Sequence, residues 1–202
     1  MIEKEADRDW EVDDWNQGMF CACEGGHLDI IKFMIEKGAD NWDDGMCYAC
    51  EGGHLDIVKF MIEKGADAWD RGMRNACRGD HLNIVKFMIE KGADNWNWGM
   101  SEACEGGNLD IVKFMIEKGA DDWNKGLCHA CLRGHLDIVK FMIEKGNEKD
   151  SHDWNCGMYN ACHGGHMDIV KLMIEKGADD WNVAISVGRM HSEIVNFLKE
   201  KI

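Results

Sequence analysis

The sequence predicts an all-α fold, a solenoid of stacked helix pairs joined by short loops. Three observations predict it. A 27-residue unit recurs almost verbatim and opens at Trp15, Trp42, Trp69, Trp96, Trp123, Trp154 and Trp181. Self-similarity at a fixed period of this size marks a stacked array, in which one unit cannot bury its own apolar surface. Each unit also carries a segment such as Leu55–Lys64, Leu-Asp-Ile-Val-Lys-Phe-Met-Ile-Glu-Lys, in which six of ten residues are apolar. That is more than a surface helix shows, and it suits a helix held between copies of itself. Finally, glycines punctuate the units, in most of them as a pair in the middle and singly at the end.

The unit at residues 42–68 shows how each element arises. Asp43 follows Trp42, and Asn or Asp fills that place in every unit. It is the expected N-cap, accepting from the orphan amides of a first turn. A short helix should run through Met46 and Ala49-Cys50 and stop at Gly52-Gly53, where glycine tolerates a tight turn. The second helix should cover Leu55 to Lys64, with Asp56 in its first turn favouring the helix dipole and Gly65 as its stop. Lys59 and Glu63 lie four apart and can pair, worth about 0.2–0.5 kcal/mol.

Gly-His-Leu-Asp-Ile-Val-Lys-Phe-Met-Ile-Glu-Lys-Gly-Ala-Asp at residues 53–67 resembles the second half of an ankyrin repeat. Ala49-Cys50 stands where that family usually has Ala-Ala. There are two departures. Asp44-Gly45-Met46-Cys47 replaces the family's Thr-Pro-Leu-His opening, and the unit is about six residues shorter than the usual ankyrin length. The missing residues fall where ankyrin repeats carry a β-hairpin finger. The resemblance therefore implies ankyrin-like helix pairs with short loops in place of fingers, and the recurring Trp would cover the edge a finger normally packs on. The short, Trp-Asn-rich form resembles ankyrin-type proteins of large DNA viruses of protists.

One array is expected over residues 1–202. Residues 1–14 form a half unit, followed by units 15–41, 42–68, 69–95, 96–122, 123–153 and 154–180, with 181–202 as a more polar C-terminal cap. The fifth unit is four residues longer, and Asn147–Asp153 is its expected mobile loop or bend.

The net charge of −15 argues against a nucleic-acid binder and against an anionic membrane surface. A basic protein partner would suit the field, and solubility alone also accounts for acidity. No apolar run reaches the roughly 20 residues of a membrane span. The start, Met1-Ile2-Glu3-Lys4-Glu5, lacks a signal-peptide core. A reducing cytoplasm and a monomer are expected.

Several residues look chemical. Cys47-x-x-Cys50 and Cys128-x-x-Cys131, with His54 and His135 beyond them, have the form of redox or zinc pairs. However, Cys50 and Cys131 belong to a column with Cys23, Cys77, Cys104 and Cys162, where a small packing residue is expected. The histidines His27, His54, His81, His135 and His166 read as structural, since Asn108 replaces one of them. No nucleophile elbow, phosphate loop or dinucleotide fingerprint occurs. Neither catalysis nor a cofactor or metal is expected.

Comparing the units with one another separates scaffold from surface. The second helix is nearly invariant, and variation gathers on the first. The candidate protein-binding residues are Tyr48, Arg71, Arg74, Asn75, Arg78, Trp98, Glu102, Lys125, His129 and Tyr159. Arg71, Arg74 and Arg78 form a local basic spot, and aromatic and Arg residues are the usual interface anchors. The seven Trp residues read first as packing and second as a binding strip. The expected function is a non-catalytic protein–protein interaction module using the first-helix face. Its alternatives are a Cys/His metal-binding or redox protein and a repeat scaffold with no specific partner.

Overall fold

The computed structural model describes residues 12–146 and 153–201. Most of the expected half unit at residues 1–14 and nearly all of the expected loop at 147–153 lie outside them. Among the described residues there are fourteen helices and no strand. They are α1 (Val12–Glu24), α2 (Leu28–Glu36), α3 (Trp42–Gly52), α4 (Leu55–Lys64), α5 (Trp69–Arg78), α6 (Leu82–Lys91) and α7 (Trp96–Gly106). They continue with α8 (Leu109–Lys118), α9 (Trp123–Arg133), α10 (Leu136–Gly146), α11 (Trp154–Gly164), α12 (Met167–Glu175), α13 (Trp181–Val187) and α14 (Ser192–Lys199). The chain divides into two compact units, residues 1–94 with α1–α6 and residues 95–202 with α7–α14. In each, consecutive helices pair as hairpins and the first helices of neighbouring repeats stack on one another. The all-α architecture of stacked pairs with short loops is thus present. Between α4 and α5 only Gly65 to Ala68 intervene.

The N-caps differ from expectation. From α3 onward each first helix begins at its Trp, so the cap is the residue before it. Asn41 accepts from the Asp44 amide at 3.2 Å, and Asp122, Asp153 and Asp180 do the same for Lys125, Cys156 and Val183. The Asn or Asp after the Trp has another task. Its side-chain oxygen accepts backbone N–H groups of the connector that leads to the next repeat. Asn16 takes the amides of Asp40 and Asn41 at 2.9 and 3.0 Å, and Asn97 those of Asp121 and Asp122 at 2.7 and 2.9 Å. Asp43 and Asn155 repeat the arrangement. This clamp holds the loop that replaces a finger and meets its otherwise orphaned donors. Asn155→Ala should therefore cost about 1–2 kcal/mol in urea unfolding. Asn155→Asp should cost far less, because Asp43 already performs the same role. Equal losses from both would refute the clamp.

The core is layered by glycine, methionine and cysteine. A Cβ built on Gly45 in α3 would lie 3.2 Å from Met61 Sδ of α4 and 3.5 Å from Cys23 Sγ of the preceding repeat. At Gly157 the same distances are 2.6 Å to Met173 and 3.5 Å to Cys131. Glycine thus lets the two helices of a hairpin close on one another, while the flexible methionine fills the space left. The repeat cysteines pack into these layers, each 0% exposed.

The second helices carry a phenylalanine ladder on their outer side. Lys59, expected to pair with Glu63, instead places its ammonium 5.6 Å from the Phe87 ring of the next repeat. Lys64 and Lys91 cover Phe60 and Phe87 from their own repeats, each 5.4 Å from the ring centre. Such cation–π contacts let an apolar ring meet water under a charged head. They explain why the second helix is so apolar without being wholly buried.

Candidate functional site

The variable residues of each first helix follow the Trp at offsets of two, five, six and nine. This spacing lines one face of a helix. In the unit spanning 1–94, α1, α3 and α5 present these faces side by side. A groove of about 320 Å³ runs across them. It contains five of the candidates: Tyr48, Arg71, Arg74, Asn75 and Arg78.

An aromatic pair and a charged rim build the groove. Phe20 of α1 and Tyr48 of α3 stack with ring centres 5.3 Å apart and planes 13° apart. Phe20 is not among the ten candidates, although its place in the variable face, five residues after Trp15, is legible in the sequence. Arg71 forms an ion pair with Asp44, and Arg78 lies 3.8 Å from Glu51. The expected basic spot is therefore a mixed-charge rim, in which three arginines face two carboxylates of the preceding repeat. Asn75 hydrogen-bonds the Cys47 thiol, and burial raises that thiol's pKa to about 11 against the opposing pull of Arg71.

The remaining candidates lie in the unit spanning 95–202. Trp98 is half-buried in the first turn of α7, where its amide donates to the Asn95 cap at 3.2 Å. Lys125 is exposed. His129 stands 3.2 Å from Glu105, which also accepts from Arg133 at 2.5 Å. The Tyr159 hydroxyl donates to Asp180 at 2.6 Å. Desolvation and this bond push its pKa up to about 12. Glu102 is withdrawn from the face: it is 4% exposed beside the fully buried Ser101.

The motifs weighed as chemical resolve into packing, with one exception. Cys50 and Cys131 are wholly buried, and burial raises their thiol pKa values. Among the described residues no cluster of three His, Cys, Asp or Glu side chains could hold a metal. The repeat histidines reach back to the preceding repeat. His54, His81 and His135 place Nε2 3.0 Å from the carbonyls of Glu24, Glu51 and Glu105. These carbonyls lie at the C-terminal ends of the preceding first helices, where helix geometry leaves carbonyls to be met from outside. His191 does the same for His163 at 3.1 Å, a member of the column that the degenerate last unit concealed. The exception is Cys128, which is joined to Cys156 by a disulfide rather than set beside Cys131.

Members of the Trp column make packing contacts. Trp15 meets Phe33 of its own repeat edge-on, with ring centres 6.3 Å apart. Trp69 and Trp96 lie against the glycines that end α6 and α8. Trp123 is buried, and the other six are half-buried.

No helix among the described residues is long and apolar enough to cross a membrane. No curated protein matches the chain. A family model described as ankyrin repeats, in a three-copy form, matches residues 2–72, 100–184 and 127–201.

Proposed function

Because the chain belongs to the ankyrin repeat family, whose repeats generally mediate protein–protein interaction, we propose that it binds a protein partner through the first-helix face. One observation carries this reading: the positions free to vary between units fall on one helix face, and in α1, α3 and α5 that face forms a groove. Stacked helices fix the groove before a partner arrives, so little ordering cost remains on binding. The Phe20–Tyr48 pair supplies rigid aromatic area, and the Arg71, Arg74 and Arg78 rim supplies directional donors.

In this proposal the protein is a non-catalytic scaffold or adaptor that acts as a monomer in the cytoplasm. That would be a host cytoplasm if the likeness to proteins of large DNA viruses reflects its source. Its field, at a net charge of −15, disfavours nucleic acid and favours a partner with basic residues outside the groove.

A pull-down from cell lysate tests this. The native chain is compared with an Arg71→Glu, Arg74→Glu, Trp98→Ala variant of unchanged helical content. A partner held by the native chain should bind the variant at least about thirty-fold more weakly, the effect of losing a hot spot. Equal retention would exclude the first-helix face.

A further inference from the structure

Four cysteines stand apart from the packing column: Cys21, which is exposed and has no second cysteine bound to it, Cys47, which is buried, and the pair Cys128 and Cys156. Cys128 of α9 and Cys156 of α11 are joined by a disulfide, with Cα atoms 6.3 Å apart. This separation is ordinary for a bridged pair. Both residues are half-buried. Cys156 lies two residues after its Trp and Cys128 five after its own, so both belong to the variable face. The six column cysteines are wholly buried and Cys47 is 3% exposed. We propose that Cys128 and Cys156 form a reversible thiol–disulfide exchange site for small disulfides and thiols of the glutathione class. When oxidised, the site fastens α9 to α11.

Exchange needs an accessible sulfur and a thiolate. Burial denies both to the column cysteines, raising the thiols of Cys131 and Cys162 to about 12 and about 11. The exchanging pair differs within itself. Cys156 is the third residue of α11, where unsatisfied amides and the helix dipole favour a thiolate. Asn160 Nδ2 also donates to Cys156 Sγ at 3.5 Å. The Asp153 carboxylate, which caps the Cys156 amide at 3.0 Å, works against the thiolate. Cys128 sits mid-helix without these features, so Cys156 is the better attacking and leaving sulfur.

The chemistry balances with a small disulfide, RSSR, as oxidant. The Cys156 thiolate attacks one sulfur of RSSR, forming a mixed disulfide and releasing one thiolate. The Cys128 thiolate then attacks Cys156 Sγ and displaces the second. The two protons from the cysteines pass to the released thiolates, so two protein thiols and RSSR give the bridge and two RSH. In reverse, a small thiolate attacks Cys128 Sγ, Cys156 leaves, and a second thiolate clears the mixed disulfide.

This inference stands apart from partner binding, and its test involves no partner. The full chain is equilibrated in glutathione buffers from fully reduced to fully oxidised, quenched in acid and alkylated in denaturant. Peptide mass spectrometry then locates every sulfur. The free thiols of Cys128 and Cys156 should disappear together into one cross-link, while the column cysteines stay alkylatable throughout. Cys156→Ser should instead leave a glutathione adduct on Cys128. Amide exchange in α9 and α11 should slow at least tenfold on oxidation, and the Cys156→Ser chain should show no such slowing. The proposal is overturned if both thiols stay free in fully oxidised buffer. It is equally overturned if Cys128 pairs elsewhere, or if the cross-link survives fully reduced buffer.

Discussion

Raising the pH from 8 to 11, with the thiols kept reduced, should unfold the protein steeply. The cause is a set of buried thiols, five from the cysteine column together with Cys47. Burial raises the thiols of Cys47 and Cys162 to about 11 and those of Cys23 and Cys131 to about 12, and lifts Cys50 and Cys104 beyond that. In the unfolded chain each thiol ionises near about 8.5. Above that pH the unfolded state sheds protons that the native state keeps, so it binds fewer protons and stability falls as pH rises. The contribution is whole below about pH 8.5 and is lost as pH climbs through the native values. Each thiol removes about 1.4 kcal/mol per pH unit in that window. Six together remove about 8 kcal/mol per unit, against the 5–15 kcal/mol that typically holds a native domain. Tyr159, raised to about 12, adds a loss of the same sign at the top of the range. Circular dichroism should show helix lost between about pH 9.5 and 11. Full helicity after equilibration at pH 11 would sink this account.

Alanine at the glycines should sort by what its Cβ meets rather than by backbone angle alone. At Gly52 the added carbon would stand 2.1 Å from the Glu24 carbonyl oxygen of the preceding repeat, and at Gly164 2.1 Å from that of Leu132. Those obstacles are backbone and cannot rotate away, so the two repeats must part. Each change should cost about 3 kcal/mol or more. At Gly65 nothing lies within 4 Å, but φ is +116°, a conformation that costs an alanine about 1–2 kcal/mol. At Gly45 the nearest atom is the flexible Met61 sulfur, 3.2 Å away. There the helix preference for alanine, about 1 kcal/mol, largely offsets the crowding. Urea midpoints should fall least for Gly45→Ala, then Gly65→Ala, and most for Gly52→Ala. A Gly65→Ala loss larger than the Gly52→Ala loss would contradict the close approach.

The period and the helix pattern were legible because they repeat. The second helix was expected over Leu55 to Lys64 and is found there. The variable face was legible too, since offsets of two, five, six and nine mark one side of a helix. Residues that act across repeats were harder to read. Asn16 and Asp43 look like caps because cap and clamp use the same side chains, and only the position of the Trp in the helix separates them. Arg71, Arg74 and Arg78 look like a basic spot along the chain, but Asp44 and Glu51, one unit earlier, stand beside two of them. Nothing at Glu102 itself announces burial. Cys128 found its partner beyond a lengthened connector, whereas Cys-x-x-Cys spacing pointed to Cys131.

The bonds between repeats also run at fixed reach. The clamp spans 24 and 25 residues in the first unit, and the histidine bridge spans 30 at His54, His81 and His135 and 28 in the shortened last unit. Gaining or losing whole units leaves each bond with a partner of the right kind. Near-identical stretches are also where misaligned recombination occurs in a gene, so copy number can drift while every junction stays competent to fold. The four-residue insertion shows how far this tolerance extends. The His166 bridge to Leu132 spans 34 residues and the Asn124 clamp on Asp153 spans 29, yet both bonds are made. Lineages carrying this gene should therefore differ mainly in the number of units, with odd-length changes confined to the connectors and the last unit.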